Sequence, residues 1–194
     1  ILLTDILHGK RFSSVSLSAD GKYLITGYSE TKPGGKTDYF ATITELATGR
    51  VMANGEENWQ WMPRSAQYYY FRNRQHGREL VVVNPQTGEE KVLANQLPEG
   101  RAVMAPTEDY LIYMMRQEGP KERKDVFEVV EPDDRQPGWR DRYYLAKYDL
   151  KQHVLQQLTY GYRNMYLNDI SQDGKYILCS VSTSRLTERP TTLQ

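Results

Sequence analysis

The chain has 194 residues, a length that suits one domain or one domain and part of a second. Its 25 basic residues balance its 25 acidic ones, so the charge points neither to nucleic acid nor to an anionic membrane as a partner. A single cysteine excludes an internal disulfide framework, and no stretch approaches the roughly 20 apolar residues that cross a bilayer.

One motif, a short strand, a polar turn, a tyrosine and an apolar strand, occurs four times. The copies read SLSADGKYLITGYS from Ser16, QWMPRSAQYYYFRN from Gln60, AVMAPTEDYLIYMM from Ala102 and NDISQDGKYILCSV from Asn168. The tyrosines in register are Tyr23, Tyr68, Tyr110 and Tyr176, spaced by 45, 42 and 66 residues. A repeat of about 40–50 residues built from short strands is typical of a β-propeller blade.

The strands of each repeat follow one another in chain order. The apolar strand of each copy is predicted over Tyr23–Tyr28, Tyr68–Arg72, Leu111–Met115 and Tyr176–Val181. After the first three copies, alternating apolar residues and a hairpin turn predict two further strands. The sequence therefore predicts an all-β fold, a partial β-propeller of four-stranded antiparallel blades. The blades are placed at about 12–57, 58–100 and 101–164, with a half-blade at 165–185.

Both ends of the chain bear on this interpretation. Residues 1–11 are an outer strand of another blade or a lead-in. The fourth repeat stops after its second strand and residues 186–194 trail behind it, so we expect the chain to be a fragment of a longer protein. An unpaired strand edge at Tyr176–Val181 and an uncovered blade face are expected to make the fragment self-associate.

An insertion, residues 118–142, lengthens the third repeat between its second and third strands. Its prolines, glycines and charges predict a loop. Within it Trp139 lies among Arg135, Arg140 and Arg142, beside three aspartates. Because interfaces favour aromatic and arginine side chains, we predict a substrate or partner contact at these four residues. The alternative is that Trp139 folds back onto the blade and the charges pair in solvent.

A family resemblance rests on the turns of the repeat. The stretches 18–23 (SADGKY) and 171–176 (SQDGKY) resemble the "SPDGK" signature of TolB-type and prolyl-oligopeptidase-type propellers, which are TolB/WD40-like repeats. The hairpin turns Thr48-Gly49 and Thr87-Gly88 are similar to those of the same repeats. The opening LTDILHGKRFSSVSLSADGKY resembles the start of the propeller in serine peptidases of the prolyl oligopeptidase and dipeptidyl-peptidase IV family.

This resemblance implies a non-catalytic domain. In that family the propeller gates or positions peptide substrates for an α/β-hydrolase domain in cis, which carries the Ser-Asp-His triad. A periplasmic or other extracytoplasmic location is also implied. The sequence contains no G-x-S-x-G nucleophile elbow, since Ser29 in GYSET lacks the second glycine. We expect no catalytic residue, no metal and no cofactor in this chain.

Two other functions stay open from the sequence. The chain could belong to a TolB- or WD40-like binding propeller that acts as a protein-interaction scaffold. It could also belong to a propeller enzyme such as a lactonase or glycosidase, which needs inward-facing carboxylates or metal ligands on several inner strands. Asn168-Asp169 is the one hint of such a set.

The remaining candidates have simpler interpretations. Members similar to dipeptidyl peptidase IV hold the substrate amine with paired glutamates on a short helix. The pairs Glu56-Glu57 and Glu89-Glu90 fall at turns instead, and we interpret them as solvated carboxylates.

Asp20 and Asp173 precede a glycine and are expected to cap their own turns. Trp59 and Trp61 share one face and are predicted to lie in the core or to line the channel rather than to act as binding platforms. Cys179 is predicted to be a small buried apolar residue. The histidines His8, His76 and His153 lack metal-ligand spacing.

Overall fold

The computed structural model describes residues 9–32, 34–119, 141–161, 163–182 and 191–193. Throughout these residues the secondary structure is β, so the predicted all-β class is confirmed. None of them belongs to a helix that is long and apolar enough to span a membrane. The chain divides into two compact units, Ile1–Pro98 and Glu99–Gln194, which we call unit 1 and unit 2.

Unit 1 contains two antiparallel sheets, each built from four consecutive strands. The strands of the first sheet are β1 (Lys10–Leu17), β2 (Tyr23–Thr31), β3 (Thr37–Glu45) and β4 (Val51–Gly55). Those of the second are β5 (Gln60–Trp61), β6 (Tyr68–Arg74), β7 (Gly77–Val83) and β8 (Glu90–Leu97). Consecutive strands are neighbours because each is joined to the next by a short turn.

Unit 2 contains a third sheet of four strands and a fourth sheet of three, again antiparallel. The third sheet is made of β9 (Arg101–Met104), β10 (Tyr110–Gln117), β11 (Arg142–Asp149) and β12 (Val154–Gln157). The fourth is made of β13 (Asn164–Ile170), β14 (Ile177–Ser182) and β15 (Thr191–Leu193). The three predicted four-stranded sheets are therefore present in the described residues.

The fourth sheet differs from the sequence expectation in one respect. Strand β15 lies in the segment 186–194, where the sequence predicts no strand, and it pairs with residues 180–182 of β14. The edge predicted to be unpaired is thus covered at its C-terminal end. Three residues are too few to show a strand pattern, so the alternation of side chains could not reveal this strand.

The turn before the register tyrosine is the same in the first and fourth repeats. Asp20 accepts hydrogen bonds from the Ser18 hydroxyl (2.7 Å) and the Lys22 amide (3.2 Å). Asp173 accepts the equivalent bonds from Ser171 (2.7 Å) and Lys175 (3.1 Å). The predicted capping role of both aspartates is confirmed. These bonds lower the pKa of Asp20 below its usual value, and the bond from the Ser18 hydroxyl has the largest effect.

The core of unit 1 lies between the facing sides of its two sheets. Alternate residues of β2 and β3 point to this side, and those of β6 and β7 meet them from the second sheet. The buried members are Tyr23, Ile25, Ala41, Ile43, Tyr68, Tyr70, Val81 and Val83. Trp61 of the second sheet makes two contacts with the first sheet. Its ring packs on Tyr23 (centroids 6.3 Å apart), and its indole N–H donates to the Ser16 carbonyl (3.0 Å).

The core of unit 2 is built in the same way. Buried side chains of the third sheet and its loops, Ala105, Tyr110, Ile112 and Leu145, pack with Ile170 of the fourth sheet. The hydroxyl of Tyr110 donates to the Gly174 carbonyl (2.7 Å), in the turn of the next repeat. Cys179 packs against this cluster, as predicted for a small apolar residue, but it is partly rather than fully buried.

The fourth register tyrosine lies in a different environment. Tyr176 is 73% exposed, whereas Tyr23, Tyr68 and Tyr110 are all buried. Tyr176 and Leu178 alternate with Ile177 and Cys179, whose side chains point to the core. One face of the fourth sheet therefore presents apolar side chains to solvent. The first sheet does the same with Val15 and Leu17 of β1.

A matched pair of tyrosine substitutions tests the register position. Tyr110→Phe removes the hydroxyl that bonds Gly174, and we expect it to lower the free energy of unfolding by about 0.5–1.5 kcal/mol. Tyr176→Phe should change it by less than about 0.5 kcal/mol, because Tyr176 is exposed. Urea unfolding followed by circular dichroism measures both, and equal effects would contradict the assignment of the two environments.

The exposed faces bear on self-association, which stays a prediction. We expect the sedimentation coefficient of the chain to rise with its concentration, because exposed apolar sheet faces associate. Leu178→Lys should reduce this rise, since it places a charge on the exposed face of β14. Gln86→Lys, in an exposed turn where the Gln86 backbone amide rather than its side chain is hydrogen-bonded, is the control and should leave the rise unchanged. A monomer at all concentrations in the unmodified chain would refute the prediction.

Candidate functional site

Unit 1 contains a cavity of about 340 Å³ beside the segment that leads from the first sheet to the second. Strands β1, β2 and β3 form one side of it and residues 56–59 the other. Its lining consists of Ser13, Ser14, Ile25, Gly27, Tyr28, Tyr39, Phe40, Ala41, Glu56, Glu57, Asn58 and Trp59. Hydroxyl, carboxylate, amide and aromatic groups thus converge on one space, as they do in many ligand sites.

A β-bulge in the first sheet brings the two serines to the cavity. Phe12 pairs with Tyr28 and Ser14 pairs with Gly27, so Ser13 is an extra residue in β1. A Cβ on Gly27 would lie 2.9 Å from the Ser13 hydroxyl oxygen and closer still to that of Ser14. The absence of a side chain at Gly27 therefore leaves room for both hydroxyls against β2.

A second glycine makes room on the opposite side. A Cβ on Gly55 would lie 2.6 Å from Oε2 of Glu57 and 2.7 Å from the ring of Trp59. The Trp59 amide donates to the Glu57 carbonyl (3.0 Å), which closes a tight turn. The Trp59 ring packs on Tyr68 (centroids 5.3 Å apart), so it is held between the core and the cavity.

Aromatic rings line the cavity from the first sheet. Tyr28 and Phe40 are stacked, with centroids 5.6 Å apart and an interplanar angle of 18°. Phe12 meets Tyr28 edge to face and supports this pair. Tyr39 is 65% exposed, which is high for a tyrosine beside a packed strand. The cavity thus offers flat apolar surfaces near polar groups.

The carboxylates of Glu56 and Glu57 are exposed, and neither forms an ion pair with another residue that the structure describes. Lys32 interacts electrostatically with Glu56, but its ion pair is with Asp38. The hydrogen bond to Asp38 raises the pKa of Lys32, and bonds from Lys32 and Lys36 lower the pKa of Asp38. The lining of the cavity therefore includes two carboxylates that form no ion pair with a described residue.

The other glutamate pair is exposed, as expected, but one member also has partners within the sheet. Glu90 accepts hydrogen bonds from the Tyr70 hydroxyl (2.8 Å) and from Arg72 (3.1 Å). Burial, together with Glu90, raises the pKa of Tyr70 to about 12. Arg72 also bonds Glu79 (3.1 Å) and lowers the pKa of that carboxyl. Glu89 is exposed, as expected.

Of the four residues of the predicted contact surface, one lies within the described residues. Trp139, Arg135 and Arg140 lie outside the described residues, so their predicted contact role stays a prediction. Arg142 begins β11, pairs with Gln117 of β10 and is partly buried.

The base of the insertion is fixed by an ion pair. Asp141 accepts hydrogen bonds from the Gly119 amide (3.0 Å) and from Arg116 (2.8 Å). Both bonds lower the pKa of Asp141, and the bond from the Gly119 amide has the larger effect. The residues at the two ends of the insertion are therefore held together beside β10 and β11.

The remaining sequence candidates lie in structural positions. Trp59 and Trp61 both pack against the core of unit 1, as predicted, but Trp59 also lines the cavity. The ring of His153 meets the Tyr148 hydroxyl (3.3 Å), and His76 is exposed. Among the described residues, no three histidine, cysteine, aspartate or glutamate side chains are grouped so that they could hold a metal ion.

Comparison of the fold finds peptidases and TolB. An acylaminoacyl peptidase from Pyrococcus horikoshii is similar over 95% of this chain and 31% of that chain, with 12% identity and a TM-score of 0.61. The tricorn protease is similar over 94% and 17%, with 12% identity and a TM-score of 0.51. TolB from Acinetobacter baumannii is similar over 95% and 43%, with 14% identity and a TM-score of 0.49.

These likenesses define the class of the fold. No protein-family model matches the chain, and comparison with curated proteins gives no significant match. The chain spans less than half the length of each of the three similar structures. Together with the four antiparallel sheets, the comparison shows part of a β-propeller with four-stranded blades, as the sequence predicted.

The packing around Gly55 can be tested by adding one methyl group. Gly55 does not have a positive φ, so Gly55→Ala meets only the steric conflict with Glu57 and Trp59. We expect a loss of about 1–3 kcal/mol in the free energy of unfolding, because a shift of the Trp59 ring would disturb its contact with Tyr68. A double-mutant cycle with Trp59→Leu should recover most of this loss. An unchanged penalty in the Trp59→Leu background would contradict the described contact.

Proposed function

We propose that the chain is the non-catalytic propeller part of a serine peptidase of the prolyl oligopeptidase and dipeptidyl-peptidase IV type. In this proposal it gates or positions peptide substrates for an α/β-hydrolase domain in the same polypeptide. The observation that carries the proposal is the likeness to an acylaminoacyl peptidase over 95% of the chain, joined to the two Asp-Gly turns with their serine and tyrosine partners.

The features of the chain fit a positioning role better than a catalytic one. The sequence holds no G-x-S-x-G elbow, so no serine is presented at a strand-to-helix turn as a nucleophile. His153, the histidine with a described side-chain partner, bonds a tyrosine rather than a serine. The cavity of unit 1 offers hydrogen-bonding and aromatic groups at a size that suits a peptide side chain.

The experiment compares this chain with the longest polypeptide that its gene encodes. We expect the longer polypeptide to contain an α/β-hydrolase segment with G-x-S-x-G and to hydrolyse chromogenic peptide amides, with inhibition by a serine-directed reagent. The present chain alone should show no turnover. Turnover by this chain that the reagent abolishes would refute the non-catalytic role. A longer polypeptide without a hydrolase segment would favour the protein-interaction scaffold.

A further inference from the structure

We propose that the cavity of unit 1 is a binding site for an arginine side chain presented by a polypeptide. Glu56 and Glu57 hold the guanidinium group, and aromatic rings of the lining contact its flat faces. The proposal concerns binding to this chain and does not rest on the peptidase assignment.

The charge at the cavity selects a cation. Glu56 and Glu57 are adjacent, exposed and not ion-paired within the described residues. Lys32 is the cation on which Glu56 acts, and it is held by Asp38. Lys36 pairs with the same aspartate, so Asp38 has two ion-pair partners, whereas no described residue forms an ion pair with either glutamate. A cation that enters the cavity therefore finds carboxylates that no described residue of the chain already occupies.

The shape of the lining selects a planar cation. Trp59 is held by its contact with Tyr68, so its ring offers a fixed flat surface. Phe40 is already covered, since Tyr28 stacks on it and the Lys10 ammonium lies over its ring, 5.1 Å from the centroid. A guanidinium group stacks on an aromatic ring and forms paired hydrogen bonds with a carboxylate, whereas an ammonium group is a strongly hydrated point charge. The two serine hydroxyls beside Gly27 add acceptors for a group that carries five N–H donors.

The size of the cavity and the number of carboxylates argue against other ligands. A volume of about 340 Å³ lies at the lower end of the usual range for ligand sites, which suits one side chain better than a nucleotide or a larger cofactor. A divalent metal ion would require more oxygen ligands than two glutamates supply, and the described residues hold no group of three metal-binding side chains here.

The test uses small blocked amino acids and the chain as it is. The first probe is Nα-acetyl-arginine amide, which carries its only charge on the side chain. Nα-acetyl-citrulline amide has nearly the same shape without the charge, and glycine amide carries an amine without a side chain. Titration followed by tryptophan fluorescence and by NMR should show saturable binding of the arginine probe, about tenfold or more tighter than that of the citrulline probe. Raised salt should weaken the arginine probe alone.

Matched variants place the interaction. Glu56→Gln and Glu57→Gln should each weaken the arginine probe several-fold, and together abolish its preference over the citrulline probe. Glu89→Gln makes the same change at an exposed turn glutamate and should leave binding unchanged. All three residues are exposed, so unfolding curves should match those of the unmodified chain and loss of binding cannot come from loss of the fold.

Four results would overturn the proposal. Equal binding of the arginine and citrulline probes would remove the role of the charge. An equal effect of Glu89→Gln would show a non-specific charge effect. Binding of glycine amide at the same strength, lost in the Glu56→Gln variant, would assign the site to an amine. Tighter binding of Ca²⁺ with the same dependence on Glu56 and Glu57 would assign it to a metal ion.

Discussion

The structure depends on the burial of one face of a sheet against the face of the next. A single four-stranded sheet of this kind has no core of its own. Its side chains alternate between two faces, and neither face is buried unless another sheet packs against it. In unit 1 the contact is made by Tyr23 and Trp61, with an indole hydrogen bond to the backbone of β1. In unit 2 it is made by Tyr110, whose hydroxyl bonds the Asp-Gly turn of the following repeat. In the first three repeats the register tyrosine thus packs between two sheets, whereas Tyr176 of the fourth repeat is exposed.

The cavity arises from the same constraint. The chain must pass from the last strand of one sheet, β4, to the first strand of the next, β5, and it does so in four residues. A tight turn at Glu57 and Trp59 achieves this, with the Trp59 ring directed to the core. The carboxylates of that turn then remain on the outside, opposite the bulge at Ser13. A connection that the fold requires therefore also brings charged and aromatic groups together.

Much of this architecture could be predicted from the sequence, because its signals are local. The Asp-Gly turns, the spacing of the tyrosines and the alternation along β2 and β10 depend on neighbours within a few residues. The cavity could not be predicted. It needs an extra residue at Ser13 and the lack of a side chain at two glycines, Gly27 and Gly55, which meet only in the folded chain. The strand β15 was missed for a related reason, since three residues carry no period of their own.

The two Glu-Glu pairs show most clearly where sequence reasoning stops. Both follow a turn and both read as solvated, yet Glu90 lies across the sheet from Tyr70 and Arg72 and is bonded by both. Asp141 is likewise bonded by Arg116. Glu56 and Glu57 lie beside aromatic rings instead, and the structure describes no cation that binds them. Whether a carboxylate is satisfied within the chain therefore depends on a cation at a neighbouring strand position, as Arg72 provides for Glu90, and two adjacent glutamates in the sequence do not reveal it.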